Sequence, residues 1–285
     1  GTFDVTSRAF ELHDISSQMS SVQKYCGAAT ATNGLIVFAP YMASGVGIFD
    51  ATSRSFSIFD ISDQLSVADK FSGAVAHPDG PIVFAPYSAS AVGVFDPASN
   101  TFSLHDISAQ ISGSRLFQGA AMAPGGQAVF APAQGSGVGM FELASGAFTL
   151  VDISQTVAWT PTALSGSAHI FGGAVQAEDG TIIFAPSGGV ASGSGFGVFG
   201  VFDATASTFT HMDADGVVAA HESSSFLGAV RAANGLVVFV PLDADAIGVY
   251  EQGPVHKTVG GRTWLKIVQT SPGYDSLGCA PTGGV

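Results

Sequence analysis

A tandem repeat constrains this chain more than any other feature. The segment YCGAATATNGLIVFAP (residues 25–40) returns as FSGAVAHPDGPIVFAP from Phe71 and FQGAAMAPGGQAVFAP from Phe117. It returns again as FGGAVQAEDGTIIFAP from Phe171 and FLGAVRAANGLVVFVP from Phe226, at steps of 46, 46, 54 and 55 residues. A second block follows: VGIFDATSRSFSIFDIS from Val46, VGVFDPASNTFSLHDIS from Val92 and VGMFELASGAFTLVDIS from Val138. A looser copy covers residues 200–213, FDVTSRAFELHDIS from Phe3 is one more, and IGVYEQG from Ile247 loses the pattern after Tyr250.

Each repeat reads as four short strands. Strand a is xGAVxA, and an Asn-Gly, Asp-Gly or Gly-Gly pair follows it at 33–34, 79–80, 125–126, 179–180 and 234–235. Such pairs favour a type I′ hairpin, in which both central residues take positive φ. Strand b is IVFAP, an apolar run suited to burial on both faces, and its proline ends the ladder for want of an N–H. Strand c is VGVFD. Strand d is FSLHDIS, whose apolar and polar residues alternate as on a strand nearer a rim. Four strands per repeat of about 40–50 residues define a propeller blade. The expected fold is therefore an all-β β-propeller of four-stranded blades, with no convincing amphipathic helix.

Five blades close if the N-terminal strand d completes the last repeat. Six close if the N-terminal c and d strands share a blade with strands from residues 252–285, of which TWLKIVQT from Thr263 is a candidate. Six is favoured over five, because it uses the sixth strand c at Phe3. Both solutions close the ring by mixing N- and C-terminal strands, which removes open edges. Residues 1–251 carry the propeller repeats, and 252–285 form a divergent closing segment of the same domain.

Recurring residues have structural readings. Gly27, Gly73, Gly119, Gly173 and Gly228 suit the crowded axis, and Phe38, Phe84, Phe130, Phe184 and Phe239 suit packing between blades. Asp14, Asp60, Asp106, Asp152 and Asp213 end strand d, where such a residue accepts hydrogen bonds from a turn.

Charged residues make up only 11% of the chain and the formal net charge is −13, against about 25% charged in an ordinary domain. The acidity argues against nucleic acid, which needs a basic footprint, and against anionic lipid. No apolar run is long enough for a membrane-spanning helix. The chain begins at Gly1 with no signal-like segment, so it is expected to be a processed form or part of a longer chain. Cys26 and Cys279 near its two ends allow one disulfide; the alternative is two buried free thiols.

Propeller connectivity puts the b–c and d–a connections on one face. Both clear insertions, 155–170 and 187–200, belong to these connections in the fourth full repeat. Insertions in repeat proteins gather on binding faces. Trp159 in the first, with Phe196 and Phe199 in the second, are candidate interface anchors, although Trp159 could equally plug the end of its own blade. Tyr41 and Tyr87 lie on the same face, with Ser44, Ser90 and Ser136 at matching positions. Rings beside hydroxyls suit a sugar, although Ala133, Ser187 and Leu242 replace the tyrosine elsewhere. Asp243 and Asp245 are a weak calcium signal for want of further ligands.

No metal-ligand spacing of histidines, G-x-S-x-G elbow or phosphate-cradling loop appears. Propeller enzymes usually line the axial channel with charge, whereas Cys26, Ser72, Gln118, Gly172 and Leu227 stand at the variable strand-a positions here. No catalytic residue, metal or cofactor is expected.

The repeats resemble kelch and related propeller repeats in period and four-strand layout. They lack the kelch double glycine with spaced Tyr and Trp, and the Gly-His and Trp-Asp marks of the WD type. The pattern F-x-G-A-V-x-A-x-[DN]-G-x-I-V-F-x-P followed by V-G-V-F-D is similar to an uncharacterised propeller repeat of algal and other protist proteins. The resemblance implies the fold and is nearly silent on function. The expected function is a non-catalytic protein-interaction scaffold, in the form of a peripheral soluble subunit of a larger, membrane-associated assembly, with other protein subunits as partners. The alternatives are a carbohydrate-binding propeller lectin, with glycans as ligands, and an enzyme with a composite site on the inserted-loop face.

Overall fold

The computed structural model describes residues 1–156, 169–187, 191–192, 195–196, 198–213, 226–242, 244 and 247–251. Every regular element among them is a strand. The N-terminal hairpin pairs β1 (Thr2–Asp4) with β2 (Ala9–Glu11). Blade one is β3 (Tyr25–Thr30), β4 (Ile36–Pro40), β5 (Gly45–Asp50) and β6 (Ser55–Asp60), hydrogen-bonded in that order. Blade two is β7 (Phe71–Ala76), β8 (Ile82–Pro86), β9 (Ala91–Asp96) and β10 (Thr101–Asp106). Blade three is β11 (Phe117–Met122), β12 (Ala128–Pro132), β13 (Gly137–Glu142) and β14 (Ala147–Asp152).

Blade four is β15 (Phe171–Gln176), β16 (Ile182–Pro186), β19 (Val198–Asp203) and β20 (Thr208–Asp213). Its b–c insertion carries a small separate hairpin, β17 (Ala191–Ser192) with β18 (Gly195–Phe196). Blade five has three described strands, β21 (Phe226–Arg231), β22 (Val237–Pro241) and β23 (Gly248–Tyr250). Strand a of each blade packs on strand a of the next, from β3 through β7, β11 and β15 to β21. The protein is therefore an all-β propeller with five described blades.

Three phenylalanines recur in each of blades two to four, and blade one carries Tyr25 in place of the first. In blade two, Phe71 packs on Phe84 and Phe102, with centroids 5.5 and 6.4 Å away. Phe117 with Phe130 and Phe148 repeats this at 5.7 and 6.0 Å. Each buried ring contributes about 1.5–3 kcal/mol. The glycine of strand c makes room for them: a Cβ on Gly93 would lie 2.7 Å from the Phe71 ring, and one on Gly139 2.9 Å from Phe117.

Strand a is bulged. Phe71 faces Pro86 and Ala74 faces Phe84, so Ser72 and Gly73 fall between ladder pairs. Gly73 sits at φ +117, and a Cβ there would come within 2.6 Å of the Gly119 Cα. Only glycine tolerates both the left-handed backbone and that approach.

The a–b turns differ from the type I′ expectation. Gly34 has positive φ and Asn33 does not. Gly34 N–H donates to the Ala31 carbonyl at 2.9 Å and Ala31 N–H to the Leu35 carbonyl at 2.8 Å. This is a three-residue loop, a type I turn closed by a left-handed glycine. The Asn and Asp before the glycine act through their side chains: Asn33 Oδ1 accepts from Leu35 N–H at 3.2 Å and Asp179 Oδ1 from Thr181 N–H at 2.9 Å.

The strand-d aspartates cap turns. Asp14, Asp106 and Asp152 each accept a backbone N–H two residues on at 2.8 Å, and Asp60 does so at 2.9 Å. These bonds from Ser16, Ser62, Ser108 and Ser154 hold all four carboxyls below their ordinary range.

Candidate functional site

Adjacent blades are stitched together on the face of the b–c and d–a connections. Lys70 N–H donates to the Tyr41 carbonyl at 3.1 Å, Leu116 N–H to Tyr87 at 2.8 Å and Ile170 N–H to Ala133 at 2.7 Å. In each case the residue before strand a reaches the residue after strand b of the preceding blade. The residues just ahead of these donors in blades two and three, Asp69 and Arg115, hold positive φ. Lys70 is 4% exposed and donates its ammonium to the Ala43 carbonyl at 3.0 Å. Burial pushes its pKa down.

This stitching brings Tyr41 and Tyr87 together, with ring centroids 5.6 Å apart. Tyr87 shares a hydrogen bond of 2.8 Å with His169 Nε2. His169 ends the first insertion, just before blade four, yet it reaches Tyr87 in blade two. Ala133 is the small residue at the equivalent place in the blade between. Burial first, and the nearby Arg115 second, push His169 down to about 4. Its imidazole is therefore neutral near pH 7. Burial also raises both tyrosine hydroxyls. The row Tyr41–Tyr87–His169 is thus three neutral hydrogen-bonding groups across three blades.

An axial cavity of about 280 Å³ is lined by strand a of all five blades. Cys26, Ser72 and Gln118 form its polar side, and Gly172 and Leu227 stand at the same positions opposite. The Cys26 thiol lies 3.1 Å from the Ser72 hydroxyl. Gln118 is 8% exposed, and its buried Oε1 has no partner among the described residues. Strand a starts, and strand b ends, on the tyrosine side, so the tyrosines and the polar wall belong to one end of the axis.

The structure joins Tyr41 and Tyr87 and corrects one proposed anchor. Phe199 is in β19, not in a loop; it is fully buried between Phe239, 6.1 Å away, and Tyr250, 5.2 Å away. The insertion ends earlier than its sequence suggests, because Val198–Asp203 pairs with β20 and Phe199 faces blade five. Phe196 lies in β18, and Trp159, Asp243, Asp245 and Cys279 lie outside the described residues. Ser44, Ser90 and Ser136 are exposed, and their carbonyls accept N–H donors from Ile61, Ile107 and Ile153 at 3.0, 2.9 and 3.0 Å. Sequence reasoning passed over His169; its place at the end of an insertion, two residues before strand a, was the available signal.

No family model and no curated protein matches the chain. Solved structures do. A virginiamycin B lyase of Staphylococcus aureus aligns with TM-score 0.58 and 13% identity, over 79% of this chain and 66% of that one. A streptogramin B lyase aligns with TM-score 0.60 and 17% identity, over 79% of this chain and 65% of that one. The extracellular domain of a one component system of B. thetaiotaomicron aligns with TM-score 0.56 and 8% identity, over 84% of this chain but 28% of that one. These likenesses establish the fold, a β-propeller. The chain spans slightly less than two thirds of these two lyases.

Proposed function

We propose that this chain is a non-catalytic binding propeller, an interaction module that docks another protein subunit on the face of the b–c and d–a connections. The Tyr41–Tyr87–His169 row supports this reading. Tyr41 is half-buried and offers a flat ring as contact area at little entropic cost, and the buried Tyr87 backs it from beneath. Here the rings are already fixed by His169 and by the stitching around them, so little further order is lost on docking. The axial wall beside them offers uncharged hydrogen-bonding groups, which suit an uncharged segment of a partner. The sparse charge of the surface also favours a subunit of a larger, membrane-associated assembly over a free monomer.

Lyase activity is not carried over, since identities of 13–17% support the fold alone. The kelch-like reading rests on repeat period and strand layout. A carbohydrate ligand is the second reading, favoured by tyrosine rings beside hydroxyls. Native mass measurement and pull-down from the native extract test the first reading. A defined complex that Tyr41→Ala weakens at least tenfold supports it. A free monomer, or a complex indifferent to Tyr41→Ala and Tyr87→Ala, contradicts it. Glycan-array binding abolished by the same substitutions transfers the site to the second reading.

A further inference from the structure

The axial cavity is two-sided. Among the described residues, every one that lines it is uncharged. Cys26, Ser72 and Gln118 put a thiol, a hydroxyl and an amide at one register position on strand a of blades one, two and three. At that position blade four has Gly172 and blade five Leu227, so the wall opposite offers no hydrogen-bonding side chain.

Two of the three polar groups are covered and poorly satisfied. Gln118 is 8% exposed, and its Oε1 has no donor among the described residues. A covered carbonyl without a donor is unfavourable. Rotation about the last side-chain bond brings either end of the amide to the cavity, so Gln118 can accept a hydrogen bond from an occupant or donate one. Ser72 is 2% exposed, and its hydroxyl has only the Cys26 thiol, a weak partner, at 3.1 Å among the described residues.

The backbone adds to this wall. Strand a ends its sheet in each described blade, with strand b hydrogen-bonded on one side and no strand on the other. That free edge turns N–H and C=O groups towards the axis, and each needs a partner. It supplies donors and acceptors together. A hydroxyl, which both donates and accepts, answers such an edge, whereas a carboxylate only accepts and an ammonium only donates. An ion would also give up its water with no counter-charge in the wall. The volume of about 280 Å³ is that of about nine waters, at the small end of ligand sites.

We propose that the axial cavity is a binding site for a small neutral cyclic polyol of monosaccharide size, held at its hydroxyl rim by Gln118 and Ser72. A cyclic polyol has a rim of hydroxyls and a face of C–H groups. The rim answers the thiol, hydroxyl and amide of blades one to three, and the C–H face lies against Leu227 and the strand-a glycines and alanines of blades four and five. The site is separate from the Tyr41–Tyr87–His169 row, and it does not rest on the docking of a partner there. The half-buried Cys26 thiol stands in the cavity wall, where an occupant shields it, so it serves as a natural reporter.

The test uses the intact, reduced chain. Alkylation of Cys26 by iodoacetamide is followed by peptide mass during titration with D-glucose, D-galactose or myo-inositol, with glutathione in the same solution correcting for effects on the reagent. At least one of the three is expected to slow Cys26 at least tenfold at saturation, while D-glucuronate, an anion at pH 7, leaves the rate within twofold. Gln118→Leu keeps the bulk and loses the amide, and is expected to weaken the protection at least tenfold. No protection by any of the three, or equal protection by D-glucuronate, overturns the inference. So does protection that Tyr41→Ala abolishes and Gln118→Leu leaves unchanged, because the polyol then sits on the tyrosine row. Should Gln118→Leu fail to fold, the contrast between neutral and anionic sugar on the natural protein decides alone. The docking of a protein subunit is read from Tyr41→Ala in the native complex and is untouched by either result.

Discussion

Blades one and two have nearly the same sequence pattern and different surroundings. β7 begins with two fully covered residues, Phe71 at 0% and Ser72 at 2% exposure, whereas most of β3 is half or fully exposed. Propensity does not explain the difference, since both strands belong to one repeat. β7 lies against β3 and β4 of the blade before it, and among the described residues β3 has only the N-terminal hairpin on that side. A propeller strand is buried by its neighbouring blade as much as by its own, as in other repeat architectures where each unit relies on the next.

Substitutions on the two sides of the ring sharpen this contrast. Phe71→Ala removes a ring from a closed junction and is expected to cost about 3–5 kcal/mol in chemical denaturation. Phe10→Ala probes the N-terminal hairpin, which stands before blade one. Phe10 is 66% exposed, so its truncation is expected to stay within about 0.5 kcal/mol, as for an ordinary surface residue, whereas Phe102→Ala at 9% exposure costs about 3 kcal/mol.

Gly119→Ala sets a Cβ 2.6 Å from the Gly173 Cα at φ +89, and overpacking plus a left-handed alanine together cost about 3 kcal/mol. Gly34→Ala has open space at φ +86, so only the backbone term of about 1–2 kcal/mol remains.

His169 gives a pH signature on the tyrosine face. Its folded pKa lies near 4, below the ordinary 6.5. The unfolded chain therefore takes up the proton first as pH falls. Stability is full above about pH 6.5 and declines towards pH 4, a loss on the order of 3 kcal/mol. His169→Gln is expected to remove that slope in melts between pH 7 and 4. The smallest effect belongs to the turn aspartates. Asp106→Ala costs little at pH 7, and that contribution fades only as pH falls through the lowered carboxyl pKa, below the His169 window.

Much of the fold was legible because the repeat carries it. Five copies of one hairpin, the axial glycines and the recurring phenylalanines each have one place in a blade. The turn type was misread because Asn-Gly signals two different loops; the loop is one residue longer than a type I′ turn allows, and the asparagine works through its side chain. Phe199 was misplaced because insertion and strand are equally rich in Gly and Phe, and only the pairing with β20 separates them. The Tyr87–His169 bond was illegible because an insertion of unrelated sequence carries His169 across blade three to a residue 82 positions earlier.

The dependence of each blade on the one before it is tested most directly by hydrogen exchange of the intact chain, read at strand a of successive blades. The expected result is slower exchange in β7, β11 and β15, each covered by a preceding blade, than in β3. Equal protection of β3 and β7 would contradict it.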